Sequence, residues 1–185
     1  MRKFVWVPVI NLGRKNQGQF LEIMSEPARL GGVNMDTLKN SGLNKNITAT
    51  EAILKRLAQQ PENTNLYLTS FLINLSNTQG INLGLVLASF IQTPSCPYQK
   101  IIVAGQVDVA QPSLPITASN HFDEKVEIII KSGKQPKPIP FFFSRTLFNE
   151  KHAPLLSKLL ALNIVLKPID NLMEALSDFG LPPGN

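Results

Sequence analysis

The sequence predicts an α/β domain with a mixed, largely parallel sheet and crossover helices, and three observations carry that prediction. From residue 48 onward, helical periodicity alternates with short apolar runs, in the order helix, strand, helix, strand, helix, strand, helix, strand, helix. Several of these runs are apolar on both faces, as in Ile101-Ile102-Val103-Ala104 and Phe141-Phe142-Phe143, which fits strands covered on two sides. The helical segments carry their own stops and starts, with Asp123-Glu124 before one and Gly133 after it, and Asp170 and Gly180 around the last. A chain of 185 residues with 43% hydrophobic content can bury one substantial core. A single domain over 1–185 is expected, with N-terminal strands and a connection in 1–47 and the core strand–helix units in 48–180.

Taken in order, Phe4 to Ile10 is β-rich, and its Pro8 predicts an edge strand or an interruption. Asn11 to Gln17 reads as a turn, and Gly18 to Met24 alternates as a half-buried strand does, so the two runs predict a hairpin. Glu26 to Lys45 holds Pro27, Gly31-Gly32 and Gly42, a connection with a short strand or helical turn near Val33 to Leu38. Thr48 and Glu51 form a Thr-x-x-Glu capping box for a helix ending near Gln59-Gln60-Pro61. Leu66 to Leu75 reads as a strand, residues 76–84 as its turn, and Leu85 to Ile91 as a buried helix. A loop from Gln92 to Pro97 leads to a strand from Lys100 to Val109 and a turn at Gln111 to Leu114. A helix through Lys125 to Lys131, the phenylalanine strand, a helix from Glu150 to Leu162, a strand from Asn163 to Leu166 and a helix from Asp170 to Phe179 follow.

Composition excludes more than it selects. The net charge of +5 permits nucleic acid or an acidic partner, but the lysines are spread along the chain, as on a solvated basic surface. The lone Cys96 rules out an intramolecular disulfide, and no apolar stretch marks a signal peptide or a membrane span, so the expected setting is the cytoplasm without membrane contact. His121 and His152 lack companions at metal-ligand spacing and read as surface histidines, so no metal is expected. No Gly-x-x-x-x-Gly-Lys-Ser/Thr loop occurs, and no cofactor is expected. Cys96 sits between prolines without an evident base. Lys125 is the strongest chemical candidate, because a lysine at the start of an apolar helix is desolvated and its pKa falls toward that of a general base.

One further pattern runs through these residues. Gly80-Ile81-Asn82-Leu83-Gly84 precedes a small apolar helix, and Ala104-Gly105-Gln106, Leu114-Pro115-Ile116 and Glu124-Lys125 follow in that order. In order and spacing this resembles the proteolytic domain of the Lon family of ATP-dependent proteases, a serine–lysine dyad fold, over roughly residues 5 to 180. The resemblance implies that Lys125 stands at the general-base position and Asn82 where the nucleophilic serine would be. Gly80, Ile81, Leu83 and Gly84 would then form the turn and oxyanion region. It also departs from the family: an amide has no hydroxyl to attack an acyl carbon, and residues 117–122 replace a glycine pair. Ser76 and Ser89 are poor substitutes.

The expectation is therefore a pseudoprotease, a structural or interaction module that self-associates or docks on a protein partner. One alternative is a nucleic-acid-binding Lon-like module of a DNA-handling or phage-defence ring protein. Another is an active Lon-type peptidase in which a different hydroxyl or thiol lies within reach of Lys125.

Overall fold

The computed structural model describes residues 1–10, 18–29, 31–69 and 80–182. Within them the chain runs β1 (Lys3–Ile10), β2 (Gly18–Pro27), β3 (Val33–Asn34), a 3-10 turn (Asp36–Ser41), α1 (Asn44–Arg56), β4 (Thr64–Leu68) and α2 (Ile81–Phe90). It continues through β5 (Lys100–Ala104), β6 (Gln106–Val107), β7 (Ile116–Thr117), α3 (Phe122–Lys131), β8 (Ile139–Ser144), a 3-10 turn (Arg145–Leu147), α4 (Ala153–Leu160), β9 (Ile164–Ile169) and α5 (Leu172–Asp178).

Seven strands form one mixed sheet in the order β3-β4-β2-β1-β5-β8-β9, and β6 pairs β7 in a small separate ribbon. The pairs β3·β4, β1·β5, β5·β8 and β8·β9 are parallel, whereas β2 is antiparallel to both β1 and β4. Two successive crossovers, β5-α3-β8 and β8-α4-β9, step outward in the same direction. Crossovers of one hand that advance in one direction leave their helices on one face of the sheet. The core divides accordingly. Phe122, Val126, Ile129, Leu156 and Leu159 of α3 and α4 pack on Ile102, Ala104, Phe141 and Phe143. Val5, Val7, Ile23, Ile101, Val103 and Phe142 meet α1, α2 and α5 on the other face. The three consecutive phenylalanines are thus shared between two cores by the two-residue alternation of a strand, and all six residues of β8 are buried.

The α/β class and mixed sheet expected from the pattern are present, but several elements depart from expectation. β1 is not an edge: it lies between β2 and β5. Pro8 is tolerated because Phe4 donates its N–H to Gln99 on the β5 side at 2.9 Å, alternate amides point the same way, and pairing with β5 extends only over Phe4 to Trp6. The missing N–H of Pro8 falls beyond that pairing. α1 starts at Asn44, so Thr48 is already inside the helix and caps nothing; the fully buried Leu43 anchors the start instead, accepting from the Ile47 N–H at 2.9 Å. Residues 81–84 are not a turn but the first helical turn of α2, entered from Gly80 at φ 93°. The run read as one strand over 100–109 breaks at Gly105 into β5 and β6. α4 is shorter than Glu150–Leu162. α5 is capped by Asn171, which accepts from the Glu174 N–H at 3.1 Å, while Asp170 pairs with Arg145. Of the expected 66–75 strand, residues 70–75 lie outside the described residues, as does the expected turn at 11–17.

Candidate functional site

The residues singled out in the sequence gather beyond the carboxyl ends of β5 and β8, where the β6–β7 ribbon crosses. In open α/β sheets that end carries the crevices, because each strand there gives way to a loop and a helix start. Ser144, at the end of β8, donates its hydroxyl to the carbonyl of Ile116 in β7 at 2.9 Å and so fixes the ribbon to the sheet. Gly80 and Gly105 allow the ribbon to meet α2 closely. A Cβ at Gly80 would sit 3.1 Å from the Gly105 carbonyl, and one at Gly105 would sit 2.9 Å from Ile116.

Asn82 stands on the first turn of α2, 3% exposed. Its Nδ2 donates to the Val107 carbonyl at 3.1 Å, and its Oδ1 accepts from the N–H groups of Leu83 at 2.7 Å and Val107 at 3.3 Å. The side chain is therefore a clamp that supplies β6 with one donor and one acceptor, as a neighbouring strand would. Ile81, Leu83 and Gly84 are buried beside it, and a Cβ at Gly84 would lie 2.5 Å from Val7, so this turn of helix rests directly on β1.

Lys125 lies on α3, 2% exposed. Its ammonium donates to the hydroxyl of Ser119, and among the described residues no carboxylate lies within ion-pair distance of it. Burial lowers its pKa to about 8, against a smaller opposing influence from Glu124. Among the described residues no hydrogen bond links Lys125 to Asn82. The lysine at the expected base position thus meets the lengthened loop of residues 117–122, whose Ser119 is itself buried and turns its hydroxyl toward the Asn120 carbonyl at 3.3 Å. Ser89, the other hydroxyl considered from the sequence, donates to Leu85 within α2.

A second polar pair adjoins this one. His152, expected at the surface, is 6% exposed at the start of α4, because Phe122 packs edge-on against its ring at a centroid distance of 5.3 Å. Its Nδ1 meets Asp123 Oδ1 at 2.6 Å. Ser119, Phe122, Asp123, Leu147, Lys151 and His152 line one cleft of about 350 Å³ between the starts of α3 and α4. His121, exposed as expected, opens α3 at φ 56°, a left-handed conformation uncommon for a residue with a side chain. No group of three or more metal-ligating side chains is clustered among the described residues. Cys96 is buried, and desolvation raises its thiol pKa, the opposite of an activated nucleophile.

Ser119 and His152 carry no signal in the sequence comparable to that of Lys125. Ser119 lies six residues before it in a loop without periodicity, and His152 is brought to Asp123 only by the α3–α4 packing. No protein-family model matches the chain, and no curated protein matches its sequence.

Proposed function

We propose that the chain is a Lon-protease-like domain that has lost the family's serine–lysine chemistry and serves as a structural or interaction module of a larger assembly. The observation that carries this reading is the state of Asn82. Residue 82 offers no nucleophilic atom, and its amide is committed to the backbone of residues 83 and 107. A side chain that fastens α2 to β6 has a structural task incompatible with attack on a substrate carbonyl.

The assembly part of the reading draws on apolar side chains left at the surface. Phe148, Leu160 and Val165 are 56%, 59% and 41% exposed, and the last lies on β9, a terminal strand of the seven-stranded sheet. Unpaired strand edges and exposed apolar groups are the usual material of self-association. A second reading, nucleic-acid binding, has support from Lys131, Lys134 and Lys137. All three are exposed on one stretch, and none is ion-paired among the described residues.

One experiment addresses both. Sedimentation velocity of the chain is run at low and high concentration, alone and with a short DNA duplex, alongside cleavage assays on unfolded protein. The expected result is a species heavier than one chain, no cleavage, and a mass independent of DNA. Robust cleavage that survives Asn82→Ala, or a strict monomer with no partner recovered from the source cell, would overturn the module. A DNA complex that dissolves steeply with salt would select the second reading.

A further inference from the structure

We propose that the cleft between the starts of α3 and α4 is an acyl-transfer site for small carboxylic esters, with Ser119 as the nucleophile and Lys125 as its base. The inference does not depend on the resemblance or on the assembly proposed above. It rests on two hydrogen-bonded pairs, Lys125–Ser119 and His152–Asp123, of which Ser119, Asp123 and His152 line one cleft.

The first pair supplies a nucleophile and a base. A buried lysine without a carboxylate partner is costly to keep charged, and its neutral form can take a proton from a hydroxyl already in hydrogen-bond contact. In its resting state that hydroxyl accepts from Lys125 and donates to the Asn120 carbonyl, so both its partners are in place. The second pair supplies an oriented imidazole. Asp123 holds His152 by Nδ1, and Nε2 has no hydrogen-bond partner among the described residues, which leaves it available to water entering the cleft. Asp123 is a positioning residue in this scheme.

The steps balance without a further reactant. Ser119 Oγ bonds to the acyl carbon as its proton passes to neutral Lys125. The carbon–oxygen bond to the alcohol breaks, and the departing alkoxide takes that proton back from Lys125, leaving an acyl-Ser119 ester. Water then attacks the ester, giving a proton to His152 Nε2, which returns it to Ser119 Oγ as the carboxylic acid leaves. The net change is ester plus water to acid plus alcohol.

The cleft also bounds the substrate. A volume of about 350 Å³ lies near the lower end for small-molecule sites. With Ser119 only 6% exposed, its hydroxyl suits a small acyl group better than a bulky one. Phe122 and Leu147 offer apolar contact for a short acyl chain. Short-chain esters are therefore expected to react.

The probes are an alkyl fluorophosphonate and p-nitrophenyl acetate, used on the intact chain. The adduct site is read by mass spectrometry in the unmodified protein, so the result does not depend on whether Ser119→Ala folds. Phosphonylation is expected at Ser119 and not at the exposed Ser177, with its rate rising with pH through the Lys125 titration near 8. Lys125→Met should slow it by about 100-fold or more, the usual contribution of a positioned base. His152→Gln should slow p-nitrophenyl acetate turnover after a burst, because the acyl-enzyme accumulates. Labelling of Ser119 no faster than of Ser177, or a rate unchanged in a folded Lys125→Met variant, would overturn the proposal.

Discussion

Asn82 and Lys125 illustrate two ways in which a buried polar residue is accommodated. Asn82 satisfies both ends of its amide, so replacement leaves the Val107 N–H and C=O unpaired in the interior. Asn82→Ala should destabilise the fold by about 2 kcal/mol, within the cost of stranding buried backbone groups. Asn82→Ser should lose most of the same amount, because one hydroxyl cannot serve both groups, and it should gain no peptidase activity. Urea unfolding midpoints together with cleavage assays check this; a Ser variant as stable as wild type would deny the clamp. Lys125 has a hydroxyl partner but, among the described residues, no ion-paired carboxylate, and its folded pKa of about 8 lies below the ordinary 10.5. The folded protein therefore binds this proton less tightly than the unfolded chain, and stability rises as pH climbs from about 8 to 10.5. Below pH 8 the full cost, on the order of 3 kcal/mol, is present. The rise should appear in wild type and be missing from Lys125→Met in denaturation series at matched pH. Parallel curves for the two proteins would show that the lysine is not buried. Lys3 gives a third case: it is buried and donates to the carbonyls of Ile91, just past the end of α2, and Cys96 at 2.8 and 3.2 Å.

Among the elements, α2 is the most constrained, since all ten of its residues are buried between the sheet, α1 and the β6 ribbon. Gly84 permits that approach. An added methyl would meet Val7 Cγ2 at 2.5 Å and Ile23 Cδ1 at 3.4 Å, and the stiff valine leaves little room to relax. Alanine in mid-helix ordinarily gains close to 1 kcal/mol over glycine, but overpacking costs about 1–3 kcal/mol. Gly84→Ala should therefore be destabilising on balance, and Gly84→Val more so, as read from thermal melts; a stabilised alanine variant would show a looser α2–β1 contact. α3 and α4 are joined differently, at their starts, by Asp123–His152 and by Phe122 against the imidazole. This join and the Lys125–Ser119 contact explain why the loop of residues 117–122, read in the sequence as a mere departure from a pattern, lies at the centre of the candidate site.

For the whole molecule, the sequence determined the class: alternating helices and strands, runs apolar on two faces, and glycine stops such as Gly133 and Gly180 followed from local periodicity and turn chemistry. It also indicated the burial of Lys125, because a lysine bracketed by Val126, Ile128 and Ile129 rides on an apolar helix face. Strand order was beyond it. Pro8 argued for an edge, yet β1 lies inside the sheet, since a proline's penalty depends on whether a neighbour reaches that residue, which is a property of pairing and not of composition. Capping at Thr48 failed for a similar reason: the buried Leu43 fixed the helix start four residues earlier than its best cap. The pairing of Ser119 with Lys125, of His152 with Asp123, and of Asn82 with Val107 joins residues 6, 29 and 25 positions apart. No local signal encodes such contacts; they exist because crossovers of one hand set the starts of α3 and α4 side by side, and because Gly80 and Gly105 let the β6 ribbon close on α2.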